Sequence, residues 1–131
     1  MLRVRLSALV FVILIVLGLA PANAKQSLLI GSWKGGGVVS FVSGDREKVR
    51  CRATFIRKST TTARMNAVCA TSAGRIAQTA VLRKTTGNRY VGTFYNAEYG
   101  VSGNIRITLR GRRLSASLSG DSVSAVLKLR R

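Results

Sequence analysis

The sequence predicts an all-β protein: an eight-stranded antiparallel up-and-down meander that closes into a small barrel, with one disulfide. Beyond residue 24, apolar and polar side chains alternate with a period of two, and helical periodicity is absent. Short polar or glycine-bearing connections interrupt this alternation at regular intervals. Such connections join neighbouring antiparallel strands, which favours a meander. A two-sheet β-sandwich is the alternative to closure.

Residues 1–24 have the pattern of a cleavable secretory signal. They begin with the basic residues Arg3 and Arg5, continue with an apolar run and end in Ala-Asn-Ala at Ala24. The apolar run is shorter than the roughly 20 residues that span a bilayer. We therefore predict cleavage after Ala24 and a single β-barrel domain over 25–131, located in the periplasm or secreted.

The strands follow from the alternation and its interruptions. The first contains three consecutive glycines at 35–37, which fit a strand that bends sharply at a barrel corner. The loops at 111–112 and 120–121 suit tight hairpin turns with positive φ, and the second would place Leu118 opposite Val123. The predicted strands are 31–42, 48–57, 63–71, 75–84, 89–97, 102–110, 113–119 and 122–130.

The two cysteines are predicted to form a disulfide. A hairpin that closes near Thr60 places Cys51 opposite Cys69 on the apolar face. An even number of cysteines in a small exported chain favours a disulfide over a reactive thiol. The chain contains no histidine, so a mixed Cys/His zinc site is excluded.

The charge is strongly basic and is predicted to be sorted by the two ends of the barrel. Without residues 1–24, 20 Lys and Arg face four acids, a formal net charge of +16. In a meander, alternate connections fall at the same end. All four acids then lie at one end (Asp45, Glu47, Glu98 and Asp121).

Most cations, Lys34 and Arg130 among them, are predicted at the other end, and Arg50, Arg52 and Arg106 along the walls. Such a charge implies attraction to anionic partners. The predicted anion-binding residues are Arg57, Lys58, Arg64, Arg83, Lys84, Arg89, Arg110, Arg112 and Arg113.

Catalysis is not predicted. Without histidine the usual general base is missing, and the four carboxylates lie in turns. Phosphate-loop, dinucleotide and zinc-hydrolase motifs are absent, so no cofactor or metal is expected. Trp33, Phe41 and Phe55 share the face of the cysteines and are assigned to the core. Sequence-specific nucleic-acid binding through stacked aromatics is therefore not expected.

Two resemblances accompany this interpretation. Gly31-Ser32-Trp33 resembles the G-x-W opening of lipocalins and avidins, the calycin group. That resemblance implies a Trp at the closed end of a barrel, beneath a basic residue from late in the chain, here Arg130 or Arg131.

The second resemblance covers nearly the whole chain beyond residue 24. It is to small exported alphaproteobacterial all-β domains of uncharacterised function, and it implies export to the periplasm but no activity. The segments that carry it are GSWKGGG (31–37), GDREKVRCRATF (44–55), VCA (68–70), GTFYNAEYGVSG (92–103) and RRLSASLSG (112–120).

The predicted function is that of a non-enzymatic exported binding module. Its expected partner is an anionic component of the cell envelope: lipopolysaccharide phosphate, anionic lipid or an acidic polymer, with peripheral membrane contact. Two alternatives stay open at this point. One is a calycin-like carrier of a small apolar ligand inside the barrel, and the other is a protein inhibitor of a periplasmic hydrolase.

Overall fold

The eight predicted strands are present and close into a barrel. The computed structural model of the chain describes Gly18 and residues 28–131; apart from Gly18, the predicted signal peptide lies outside the described residues. Each strand pairs antiparallel with its neighbours in sequence, and the first pairs with the last, which excludes the sandwich. The strands are β1 (Gly31–Phe41), β2 (Arg46–Arg57), β3 (Thr62–Thr71), β4 (Gly74–Lys84), β5 (Arg89–Asn96), β6 (Val101–Arg110), β7 (Arg113–Gly120) and β8 (Val123–Arg130).

One face of every strand points into the barrel. Buried and exposed residues alternate along β2 and β3 as the period-two pattern requires. The interior is dominated by aliphatic side chains, together with the aromatic Trp33, Phe55, Tyr90 and Phe94. The assignment of Phe41 to the core was wrong: it is the last residue of β1 and is exposed. Within residues 28–131, no helix is long and apolar enough to cross a membrane.

The predicted disulfide joins Cys51 and Cys69. The two residues lie directly opposite each other in the β2–β3 register, and both are buried. Ala53 and Ala67 pair in the same hairpin two residues further along, as the predicted hairpin requires. A structural disulfide indicates an oxidising compartment outside the cytoplasm.

Inward-facing glycines allow the sheet to curve tightly enough to close. At Gly37 an added Cβ would lie 2.0 Å from the carbonyl oxygen of Val126 on β8. At Gly92 it would lie 1.8 Å from the carbonyl oxygen of Val81 on β4. Neither position has room for a side chain, because the backbone of the neighbouring strand comes too close. Gly35 in β1 and Gly103 in β6 show the same close approach, at 2.1 Å each. The sharp bend in β1 stays a prediction that these contacts support.

The β7–β8 turn differs from the prediction. Gly111 adopts a φ of 59°, as expected, but Gly120 has no positive φ and remains in β7. The turn is formed by residues 121–122, so Leu118 lies opposite Ala125 and not Val123. Because this register differs from the predicted one by two residues, the apolar side chains still point inward.

The disulfide is predicted to supply a large part of the stability. Reduction with dithiothreitol, or the double substitution Cys51→Ala/Cys69→Ala, should lower the free energy of unfolding by roughly 3 kcal/mol, since the bond closes a short loop in the unfolded chain. Urea unfolding with and without reductant measures this change. A midpoint that does not move under reduction would contradict it.

The close approach at Gly37 is also testable. Gly37→Ala should lower the free energy of unfolding by about 2 kcal/mol, because the methyl group overlaps the β8 backbone. Gly120→Ala is the matched control, since its nearest contact would be 3.1 Å, which a small shift relieves. Urea unfolding of both variants measures the two losses, and equal losses would contradict a special cost of the close approach at Gly37.

Candidate anion-binding surface

A tryptophan and an arginine close one end of the barrel. Trp33 is buried at the start of β1, and its indole N–H donates a hydrogen bond of 2.9 Å to the carbonyl oxygen of Leu29. The guanidinium carbon of Arg131 lies 4.8 Å from the centre of the Trp33 ring, within cation–π range. Arg131 also donates to the carbonyl oxygen of Ile30. The basic residue expected over Trp33 is therefore Arg131, not Arg130.

The connections at this closed end are tied to one another by backbone hydrogen bonds. The amide of Lys84 donates to the carbonyl of Thr61 (2.7 Å), and the amide of Leu109 donates to the carbonyl of Asn88 (2.9 Å). The amide of Arg131 donates to the carbonyl of Arg112 (3.1 Å). The loops between β2 and β3, β4 and β5, and β6 and β7 thus form one connected surface with the end of the chain.

The charges of the described residues are separated as the meander predicted. Asp45, Glu98 and Asp121 lie in the connections of the opposite end, and Glu47 is the second residue of β2. The nine residues predicted to bind anions are all exposed and lie in or beside the three connections of the closed end. Arg112 has a further contact, because its guanidinium donates to the carbonyl oxygen of Arg131 (3.1 Å).

The structure also aligns five cations across five adjacent strands. Arg110 pairs with Arg113, Arg113 with Arg130, Arg130 with Lys34, and Lys34 with Arg52. All five side chains are exposed on the outer face. We call this set the cationic row.

Three members of the cationic row were not in the predicted anion-binding set. Lys34 and Arg130 become neighbours only because β1 pairs with β8, and no local sequence signal specifies that closure. Arg52 was expected on the wall, where it does lie, but the β1–β2 register puts it directly opposite Lys34. That register could have been found only from the true position of the β1–β2 turn.

The barrel interior beside the disulfide is nearly filled. The cavity beside the disulfide has a volume of about 10 Å³, close to the smallest space that holds a water molecule. It is bordered by apolar side chains such as Phe55, Ile105 and Leu127, and by Gln78. Towards the opposite end the inward side chains of Val39 and Ile76 become partly exposed, so the barrel is less tightly covered there.

The residues 28–131 contain no group of three or more His, Cys, Asp or Glu that could hold a metal ion. The only chemistry that this part of the chain concentrates in one place is positive charge. The arrangement can attract anions and form charge-assisted hydrogen bonds with them.

Comparison with known proteins supports the fold. Neither a protein-family model nor a curated protein matches the sequence. Among solved structures, a redesigned β-barrel, mFAP1, bound to DFHBI is similar, with a TM-score of 0.66 and 16% identity over 79% of this chain and 94% of that one. The redesigned barrel b11L5F_LGL is similar with a TM-score of 0.64 and 17% identity, over 80% of this chain and 92% of that one. Rv2717c from M. tuberculosis is similar with a TM-score of 0.51 and 17% identity, over 86% of this chain and 99% of that one.

Repulsion within the cationic row should be measurable as lost stability. Like charges directly opposite each other on adjacent strands are destabilising. Arg130→Gln should therefore raise the free energy of unfolding by about 0.5 kcal/mol at low salt, a gain that disappears in concentrated NaCl. Arg106→Gln is the matched control, because Arg106 pairs with Val91 and Ser117. The same gain in both variants, measured by urea unfolding, would refute repulsion within the row.

Proposed function

We propose that this protein is a non-enzymatic binding module that attaches to an anionic component of the cell envelope through the closed end of its barrel. The observation that carries the proposal is the separation of charge: the predicted anion-binding cations surround the closed end, and all four acids lie at the opposite end. A chain that only needed solubility could distribute its acids over both ends.

The closed end is suited to anion binding by its chemistry and its rigidity. Arginine predominates, and the guanidinium group pairs with phosphate and carboxylate through two parallel hydrogen bonds. The loops that carry these side chains are hydrogen-bonded to one another, so the cations project from a fixed frame. The field of so many like charges should also speed the encounter with an anionic partner at low salt.

The proposed location is the periplasm or the exterior of the cell. The disulfide indicates an oxidising compartment, and residues 1–24 have the composition of a secretory signal. In that setting the envelope provides the anionic groups that the charge would attract: phosphates of lipopolysaccharide, anionic lipid headgroups and acidic polymers.

A small-ligand carrier is the second candidate. The mFAP1 barrel, which has the same kind of fold, is bound to DFHBI. The nearly filled interior beside the disulfide weighs against a similar role there, because a cavity of about 10 Å³ is far smaller than the roughly 300 Å³ or more of a small-molecule site. An apolar ligand in that part of the barrel would require core side chains to move.

Co-sedimentation with vesicles tests the proposed function. We expect binding to vesicles of phosphatidylcholine with 30% phosphatidylglycerol, and little binding to phosphatidylcholine alone. Binding should fall steeply between roughly 50 and 200 mM NaCl, because it arises mainly from exposed charges.

The double variant Arg83→Gln/Lys84→Gln should bind several-fold more weakly at the same salt concentration. Arg46→Gln/Arg75→Gln removes the same charge from the opposite end and should bind almost as the unmodified protein does. Equal binding to both kinds of vesicle, or equal loss in both variants, would count against attachment through the closed end.

A further inference from the structure

We infer that the cationic row is a binding site for a flexible, linear, phosphate-bearing polyanion that lies across the strands on the outer wall of the barrel. This inference rests on the proposed function, since it assumes that the positive charge serves to bind anions. It names a surface that begins at the closed end with Arg110 and Arg113 and continues along the wall to Arg52, and it names a narrower class of ligand.

The geometry of the row suits an extended ligand. Its five side chains come from β6, β7, β8, β1 and β2 in order, one from each strand. Adjacent strands are about 4.8 Å apart, so the row extends over about 19 Å. The ligand would cross the strands and meet one cation at each.

The expected cost of the row to stability favours a function for it. Directly opposed like charges weaken a sheet, and here four successive pairs are of this kind. No acid lies in the row to neutralise them, because the four acids lie towards the other end. An anionic ligand would remove this repulsion on binding. A local arrangement that opposes stability is expected where a sequence serves function.

Further cations widen the site. Gly36, which has no side chain, lies between Lys128 on one side and Arg50 on the other. These two cations lie two residues along their strands from Arg130 and Arg52, on the same outer face. Because Gly36 has no side chain, a chain-like ligand can come close to the backbone of β1 between the long side chains of Lys128 and Arg50.

The path of the row favours a flexible polymer over a flat bilayer. Arg110 and Arg113 flank the hairpin turn at the closed end, whereas Arg52 lies five residues before the end of β2, higher on the wall. The row therefore climbs obliquely as it goes round. In a barrel of eight strands each step turns by about 45°, so its two ends face nearly opposite directions. A planar surface can touch only part of it, but a chain with rotatable bonds can follow all of it.

The chemistry of the row favours phosphate groups without bases. Four of its five members are arginines, whose guanidinium groups form bidentate hydrogen bonds with phosphate. Polar hydroxyl groups border it, as at Thr108 and Ser115, which pair next to Arg110 and Arg113. None of its members is aromatic, so the row offers no platform on which nucleic-acid bases would stack.

Binding of inorganic polyphosphate of about 60 phosphates tests the inference, with triphosphate as the short probe. Affinity is measured by titration over a salt series. The row variant is Arg52→Gln/Arg113→Gln/Arg130→Gln. The control variant, Arg83→Gln/Lys84→Gln/Arg89→Gln, removes the same charge from the closed end outside the row. All of these side chains are exposed, and thermal unfolding checks that both variants stay folded.

We expect the row variant to bind polyphosphate on the order of tenfold more weakly and to lower the slope of log affinity against log salt by about 2. The control variant should lose much less. Triphosphate, too short to follow the row, should bind weakly to all three proteins. Equal loss of polyphosphate binding in both variants would overturn the inference, as would equally tight binding of triphosphate.

The same variants separate this inference from the proposed function. On vesicles with phosphatidylglycerol the control variant should lose more binding than the row variant, because the closed end meets a planar surface. If vesicles bind as proposed and both variants lose the same amount of polyphosphate affinity, the inference about the cationic row is overturned and the proposed function stands. If polyphosphate binds through the row but vesicles do not bind, attachment through the closed end fails and the row is supported.

Discussion

The pairing of β1 with β8 is the constraint on which the rest of this structure depends. It converts an eight-stranded meander into a closed barrel with no free edge, and a free edge would otherwise invite pairing with another chain. The pairing is possible because β1 has no side chains at Gly35 and Gly37, where the backbone of β8 comes closest. The same contact brings Lys34 beside Arg130, so closure and the cationic row have one origin.

The closed end combines packing with charge. Trp33 fills the bottom of the barrel, and Arg131 covers it with a cation–π contact and a hydrogen bond to the backbone of Ile30. The end of the chain is thereby fixed against the loop that contains Arg112. Arg131 therefore stabilises the fold through contacts of its own, whereas its neighbour Arg130 points outward in the cationic row.

We expect repulsion between the opposed cations to cost the fold some stability, which other contacts must offset. Cations oppose one another across four strand pairs, and the acids that could neutralise them lie elsewhere. The disulfide between β2 and β3 and the nearly filled interior beside it supply compensating stability. Repulsion within the cationic row has an explanation if the charge serves binding, because a bound polyanion would neutralise the row and stabilise the folded state.

The sequence by itself determined the strands to within two residues, the inward face, the Cys51–Cys69 pair and the separation of acids from cations. These are local properties: alternation, turn chemistry and short connections fix which neighbours pair and at which end each loop lies. It missed the β7–β8 register, because either Gly120-Asp121 or Asp121-Ser122 could form the turn. Only the tertiary structure decided that Lys34, Arg130 and Arg52 lie side by side. Their alignment depends on the closure of β1 on β8 and on the register of β1 with β2. The closure joins the first strand to the last, so it pairs residues that are far apart in the sequence.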